Sequence, residues 1–456
     1  MPALLWVRRD LRLGDHPALL AAVDAADDEL AVLFVVDPAL WHGAGPVRRA
    51  WLAANVRALE EDLDARLVLR HGDPAQVVPA LARELGAGSV HVTRETTPAG
   101  VRRDRAVARG LPEGTAWVET GTPYAVGPGL VRTQEGDPYK VFTPFHRAWT
   151  EHGWPKPAQT PAGLDLVDLG SDDAAGKALD DALAHDDLPP LPEPGERAGL
   201  RRWADFLDEA VSDYQRERDR PDHDGTSRVS PYLKVGALHP RTLLADLAPL
   251  RSAGAATYAK ELAWREFYAD VLHHHPRSAW HDLRDGLAGL RYDEPEDAIE
   301  AWRRGETGYP IVDAGMRQLL ATGWMHNRVR MITASFLTKD LHVWWPVGAR
   351  WFLERLLDGD VASNNHGWQW VAGTGTDAAP YFRVFNPVLQ GEKFDPQGDY
   401  VRRWVPELAH VAGKAVHQPW KVDDGYAHGY PRRIVDHAEE RREALARYEG
   451  RSRGQV

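Results

Sequence analysis

The chain has 456 residues, 43% hydrophobic and 27% charged, the balance of a globular protein of about two or three domains with a sizeable core. It contains no cysteine, which excludes disulfides, zinc ribbons, Cys-ligated iron–sulfur clusters and thiol catalysis. Lys and Arg total 55 against 67 Asp and Glu, a net charge of −12 that taken alone argues against a nucleic-acid binder, because phosphate contact needs cations.

The start, MPALLWVRRDLRLGD, is too short and too charged for a signal peptide, and no apolar run reaches membrane-spanning length. A cytoplasmic location is expected. From residue 1 to 150, short β-branched runs alternate with helical stretches. Strands are predicted at 3–7, 30–36, 66–70, 89–92 and 116–119, and helices at 17–27, 46–64, 74–86 and 99–110. This alternation predicts an α/β domain built on a doubly wound parallel sheet, whose ligands lie beyond the carboxyl ends of the strands. No GxGxxG follows the first strand, which argues against an ordinary dinucleotide fold.

Residues 151–196 are rich in Pro and Asp and read as an interdomain connector. Between 161 and 196 ten acids face one base, Lys177, so nine of the twelve net negative charges sit there. The rest of the chain is close to neutral, and the charge objection to DNA is an average over an acidic linker. From 197 to 456 helical periodicity takes over, in segments such as RRWADFLDEAVSDY, TYAKELAWREFYADVLHHH and GMRQLL, and an all-α domain is expected. It holds 12 of the 18 Trp.

Several segments carry chemistry. Glu261, Trp264, Arg265 and Tyr268 share one helical face, opposite the apolar Ala263, Phe267 and Val271. Such a face is ordinarily a core Trp beside an ion pair, but it could also stack a base and hydrogen-bond its edge. Asn327, Arg330 and Met331 share a second face, suited to a planar heteroaromatic ligand or to plain capping and packing. TSRVS (226–230) suits a phosphate near a helix start, although a short hydroxyl cluster is usually an N-cap. DGDVASNNHGWQW opens like a calcium loop but lacks the sharp-turn Gly and the closing Glu, so calcium is rejected. GTGTDAAP follows no predicted strand and lacks the third Gly of a dinucleotide fingerprint. The three His at 273–275 point in different directions and read as a solvated helix end, and no metal is expected.

Together these segments resemble the photolyase/cryptochrome family, most closely the bacterial class I cyclobutane pyrimidine dimer photolyases. The similarity runs from WVRRDLRLGDHPAL through GTSRVSPYLKVG, ELAWREFY and TGYPIVDAGMRQLLATGWMHNRVRMITASFL. It ends in DGDVASNNHGWQWVAGTGTDAAPYFRVFNPVLQGEKFDPQGDYVRRWVPEL.

The resemblance implies one folded FAD per chain, reduced when active. Tyr214 and Thr226, Ser227, Arg228, Val229 and Ser230 match its phosphate and ribose contacts. Arg330, Asp358 and Asp360 match the polar edge of the flavin, and Asn364 matches the residue facing the ring nitrogen that titrates on reduction. Glu261, Arg265 and Asn327 join this set. Glu261, Trp264, Asn327 and Met331 match the dimer pocket, with Trp264 stacking on a flipped-out dimer and Glu261, expected to be protonated when it acts, bonding a pyrimidine carbonyl. Arg218, Arg328, Arg383 and Gln390 match positions near the DNA strand, which Trp264 and Asn327 would also contact. Trp368 and Trp345 match the proximal and middle members of a photoreduction chain. The distal position is Tyr292, so either Tyr292 or a neighbour such as Trp344 would end it.

A second, antenna chromophore is implied, hydroxy-deazaflavin being favoured over methenyltetrahydrofolate, with Arg48 and Lys234 at its positions. The expected partner is UV-damaged DNA, with no membrane, no obligate protein partner and a monomeric state. The implied reaction is light-driven splitting of the cyclobutane ring with no net redox change. A signalling cryptochrome and a (6-4) photoproduct photolyase are the competing readings; the (6-4) branch typically has His where Asn327 and Met331 stand.

Overall fold

Strands β1 (Ala3–Val7), β2 (Leu30–Val36), β3 (Leu67–His71), β4 (Ser89–Val92) and β5 (Ala116–Glu119) form one parallel sheet in the order β3-β2-β1-β4-β5. The computed structural model describes residues 1–27, 29–161, 163–284, 290–376 and 383–451. Every strand falls within a residue of its expected place. β1 and β2 are buried along their whole length, as parallel strands covered on both faces must be. The intervening helices Pro17–Ala25, Pro46–Asp62, Pro74–Leu85 and Pro98–Gly110 each begin on a proline, whose fixed φ and missing N–H suit the first helical turn. Asp73 and Thr97 cap two of them by accepting backbone N–H bonds.

The stretch expected as a connector is partly built into this domain. It contains the helix Asp173–Leu183, with Ala175 and Leu179 fully buried. Arg57 on the Pro46–Asp62 helix donates to Asp180 at 2.7 Å, and Val167 N–H donates to Leu30 O. The apolar positions 175, 179 and 182 lie at helical spacing, a stripe that the surrounding Asp and Pro content masks in a compositional reading.

The chain divides into two compact units. Met1–Ser212 with Ser227–Pro276 form the first, and Asp213–Thr226 with Arg277–Val456 the second. The long helix Ala253–His274 therefore belongs with the parallel sheet. Its buried face is the predicted one: Ala263, Phe267 and Val271 are sealed, whereas Glu261, Trp264, Arg265 and Tyr268 are half-buried. RRWADFLDEAVSDY does not stay one helix; Glu196–Glu209 ends there, and a 3-10 turn, Val211–Asp213, leads into a new turn at Tyr214. The second unit is helical around a core that includes Trp302, Tyr309, Phe336, Trp345, Trp368 and Tyr400. No helix among the described residues is long and apolar enough to cross a membrane.

In the first unit the sealed His239 caps the helix Pro240–Leu247. Its Nδ1 accepts from Arg241 N–H at 3.2 Å, and its Nε2 donates to Thr122 O at 2.9 Å. Both nitrogens are thus used by the neutral tautomer. Burial, opposed by Asp15 and aided by the Arg12 and Arg241 charges, pushes this imidazole from 6.5 down to about 4. The unfolded chain takes up a proton here as pH falls below 6.5, and the native one does not. The stabilisation is therefore complete above 6.5 and is lost as pH falls towards 4, up to about 3 kcal/mol. Urea unfolding across this range is expected to show that decline in the native sequence and a flatter limb in His239→Asn. An unchanged slope in the variant would assign the proton to another group.

Candidate functional site

In the first unit the hydroxyl-rich segment is held from both sides. Arg202 Nε donates to Ser227 O at 2.8 Å, and Ser227 Oγ lies 2.7 Å from Tyr258 Oη. Arg228 has a φ of +51°, so the chain turns sharply before the helix Ser230–Val235, which carries Lys234. That helix ends on Gly236, with φ +75°, because a Cβ there would sit 1.8 Å from Arg9 O. The loop after β1 therefore runs against it, and Arg12 Nη1 donates to Gly236 O at 2.9 Å. Trp51, one turn beyond Arg48, donates from Nε1 to Pro231 O at 3.1 Å and meets Tyr232 edge-on. Arg48 and Lys234 thus stand on elements that touch.

The helix Ala253–His274 is pinned to the loop that follows β5. Arg265 donates to Pro123 O at 3.0 Å and Leu233 O at 3.3 Å, with its guanidinium 4.5 Å from the Tyr124 ring centre. Next to it the sealed Glu266 accepts from the N–H groups of Ala125, Val126 and Gly127 and from Trp149 Nε1. Asp270 accepts from Gly129 N–H at 2.7 Å. These contacts set where Glu261 and Trp264 stand. Phe142 covers one face of the Trp264 indole, with ring centres 3.6 Å apart and planes at 7°. Neither Phe142 nor Glu266 was singled out from the sequence. A carboxylate set between Ala263 and Phe267 on an apolar face was the available signal for Glu266.

In the second unit, Arg330 donates from Nη2 to Asp358 Oδ2 at 2.8 Å and from Nε to Met325 O at 2.8 Å. Asp360 accepts from Ser363 N–H and caps the helix Val361–Ala372. The two acids of the calcium-like motif are therefore an ion-pair partner and a cap. On that helix Asn364 Nδ2 donates to Ala349 O at 3.1 Å and to Asn365 Oδ1 at 2.8 Å. Both amide protons are engaged, so Oδ1 is the atom with which Asn364 can meet a ligand donor. Trp368 follows one turn later and is almost fully buried.

The indole of Trp368 packs on Gly348, where a Cβ would lie 2.2 Å from it. Gly348 is one turn along the helix Trp345–Arg355 from the sealed Trp345. Trp344 lies 6.4 Å from Trp345 and 6.4 Å from Tyr292, measured between ring centres. Trp345 Nε1 donates to Asp282 Oδ1 at 2.7 Å, and Asp282, 63 residues away in sequence, had no local signal.

Among the positions matched to the DNA strand, Arg328 pairs with Asp219 at 2.7 Å and lies over Phe394. Exposed Arg383 lies over Trp370, and Arg218 over the Tyr214 ring. Gln390 is half-buried on the helix Pro387–Phe394, Asn327 is exposed at the start of Asn327–Ser335, and Met331 is half-buried. Residues 377–380 of GTGTDAAP lie outside the described residues.

Each set of donors, taken within its own unit, has the chemistry of one part of a flavin dinucleotide. Hydroxyls, a guanidinium and a turn into a helix suit a diphosphate. An Arg–Asp pair with an acceptor-presenting amide suits the polar edge of an isoalloxazine, including a ring nitrogen that gains a proton on reduction.

Known proteins agree with this chemistry. Residues 3–162 match the sequence model described as DNA photolyase, and residues 258–450 match the FAD binding domain of DNA photolyase. A deoxyribodipyrimidine photo-lyase of Vibrio cholerae is 41% identical over 98% of both chains. Among solved structures, a bacterial class III photolyase from Agrobacterium tumefaciens superposes with a TM-score of 0.89, at 37% identity over 99% of this chain and 98% of that one. A Synechocystis cryptochrome gives 0.88 at 28% identity, over 98% of this chain and 99% of that one. An archaeal photolyase from Sulfolobus tokodaii, solved with two FAD molecules, gives 0.85 at 29% identity, over 99% of this chain and all of that one.

Proposed function

Because this chain belongs to the DNA photolyase family and is a light-dependent carbon–carbon lyase with an FAD-binding domain, we propose that its substrate is the cyclobutane pyrimidine dimer in UV-damaged DNA. The observation that carries this reading is Asn364. Its amide is held by Ala349 O and Asn365 Oδ1 so that an acceptor oxygen is available, one turn from the buried Trp368. A neutral amide at that position, together with the Arg330 guanidinium, would favour an anionic reduced flavin.

Bound FAD, in its reduced form, supplies on light absorption the electron that splits the dimer and takes it back afterwards. The protein's part is to bind, orient and stabilise. Tyr214 and Thr226 through Ser230 would hold the phosphates and ribose, and Arg330, Asp358 and Asp360 the flavin edge. Trp264 would stack on the extruded dimer with the face that Phe142 leaves, and Phe142 fixes the plane of that ring. Glu261 would donate a hydrogen bond to a pyrimidine carbonyl and stabilise the negative charge that develops on the dimer. Asn327 and Met331 would also contact the lesion, their identities favouring the cyclobutane dimer over the (6-4) product. Arg218, Arg328, Arg383 and Gln390 would contact the strand. Affinity for undamaged DNA is expected to be weak and to fall with salt.

A second chromophore would be held by Arg48 and Lys234, with hydroxy-deazaflavin favoured. Their position on elements joined by the Trp51 bond to Pro231 O supports a common ligand.

The test is illumination of the chemically reduced enzyme with an oligonucleotide carrying either lesion. Restoration of intact thymines from the cyclobutane substrate, and none from the (6-4) substrate, is expected. Failure on the cyclobutane substrate would sink the proposal, and with it a signalling role would be favoured. In the same assay Glu261→Gln, which keeps a donor at that position, is expected to retain much of the repair yield. A near-total loss in that variant would count against the donor role of Glu261.

A further inference from the structure

The rings matched to photoreduction all lie in the second unit, and one of them has a partner that neither motif nor spacing announced. Trp345 is fully buried, and its only polar atom donates to the Asp282 carboxylate at 2.7 Å. The neighbouring Trp344 is 36% exposed and stands between Trp345 and Tyr292, 6.4 Å from each. Burial and the Asp282 charge hold the Tyr292 phenol above its ordinary range. A phenol gives up an electron readily only if its proton leaves as well, so this environment disfavours Tyr292 as the ring that ends the relay.

An indole that has lost an electron is a far stronger acid than a neutral one. A carboxylate already hydrogen-bonded to its N–H can take that proton directly, with no water between them. We propose that Asp282 is the proton acceptor of Trp345 during light-driven reduction of the oxidised cofactor, and that it makes Trp345 the ring on which the oxidation comes to rest. The inference rests on the flavoprotein reading above and adds the route.

One electron leaves Trp368 for the light-excited oxidised isoalloxazine, and one electron from Trp345 replaces it. The Nε1 proton of Trp345 moves to Asp282 Oδ1, leaving a neutral indolyl radical beside a carboxylic acid. An external one-electron donor, a thiolate, then returns an electron through the exposed Trp344, and Asp282 returns the proton. The pair ends as it began, while the cofactor keeps the electron.

A purely structural role, anchoring the indole against residues 281–284, would also explain the bond. The two roles differ in what a flash experiment reads. In the holoenzyme with oxidised FAD, a blue flash is expected to give the tryptophanyl cation spectrum, followed by the neutral radical spectrum in a step that slows in D2O. Asp282→Asn keeps a hydrogen-bond acceptor for the indole but takes no proton. It is expected to prolong the cation roughly a hundredfold, the scale that a positioned proton acceptor contributes. Asp282→Glu is expected to restore most of the rate. Trp344→Phe is expected to leave formation of the neutral radical unchanged and to slow its decay by added thiol.

Proton loss at the native rate in Asp282→Asn would overturn the proposal, as would a tyrosyl spectrum as the final species in the native protein. Should Asp282→Asn bind FAD poorly, the D2O effect and the Glu variant still decide. Repair by chemically reduced enzyme does not use this relay. A protein that repairs dimers but shows no tryptophanyl radical would overturn this inference alone, and one that shows the radical but repairs nothing would overturn the substrate reading alone.

Discussion

Replacing Trp368 by Phe is expected to slow light-driven reduction of the oxidised flavin by roughly a hundredfold, about 2.7 kcal/mol in activation free energy, while repair by chemically reduced enzyme stays close to native. Trp368 sits one helical turn from Asn364, and it packs on Gly348, which is one turn from Trp345. It is thus the ring that links Asn364, the amide proposed to face the flavin, to the sealed Trp345. Phe fills most of the volume but is much harder to oxidise, so the packing survives better than the redox role. Two other aromatic neighbours of Trp368, Phe352 at 5.0 Å and Trp302 at 6.1 Å, do not replace it. Phe352 has the same shortcoming as the new residue, and Trp302 donates its N–H to Thr333 O inside the core. The check is the rise of reduced-flavin absorbance under blue light with a thiol present, run beside dimer repair after chemical reduction. Equal photoreduction in both proteins would remove Trp368 from the route. Equal losses in both assays would show that the change acts through FAD binding.

The second large effect is on folding. Glu266→Ala is expected to destabilise the first unit by about 4 kcal/mol, because a buried donor left without its partner costs about 1–3 kcal/mol. Three backbone N–H groups, from Ala125, Val126 and Gly127, and the Trp149 indole N–H converge on this one sealed carboxylate. The truncated side chain accepts none of them. Burial raises the proton affinity of Glu266, and the converging N–H groups and the indole oppose that rise. Glu266→Gln, with one acceptor oxygen instead of two and an amide facing the same donors, should fall between native and Ala. Denaturant unfolding followed by Trp fluorescence gives the measurement. A loss below about 1 kcal/mol would mean that the loop after β5 finds other partners and is not held by this residue. The loop also receives Arg265 and Asp270 from the same helix, so the variant should disturb the position of Trp264 and lower repair in parallel with stability.

Positions 358, 360 and 364, proposed to face the flavin, and 261 and 264, proposed to face the substrate, stand out in the sequence as parts of motifs, but their contacts within the protein do not. Arg330 and Asp358 are 28 residues apart, and nothing in either segment says that one guanidinium nitrogen meets one carboxylate oxygen. Residue type narrowed the options for DGDVASNNHGWQW, since a missing Gly and Glu excluded calcium. Only the tertiary structure makes Asp358 an ion-pair partner and Asp360 a helix cap.

What the sequence by itself determined are features written within a few residues of each other. The five β-branched runs and the apolar stripe of 263, 267 and 271 placed the sheet and the buried helical face correctly. Local backbone preference and periodicity act over a turn or a strand and need no partner. The charge of −12 was likewise resolved from the sequence, as a property of an acidic stretch between 161 and 196. The tertiary structure decided whatever depends on a distant partner. It built the helix Asp173–Leu183 of that acidic stretch onto the sheet domain, assigned the helix Ala253–His274 to the first unit through Arg265, Glu266 and Asp270, and placed Asp282 on Trp345. Each of these is a choice among many chemically equivalent acids and bases. It is made by long-range burial, which excludes water and leaves every donor to find its acceptor wherever the chain happens to return.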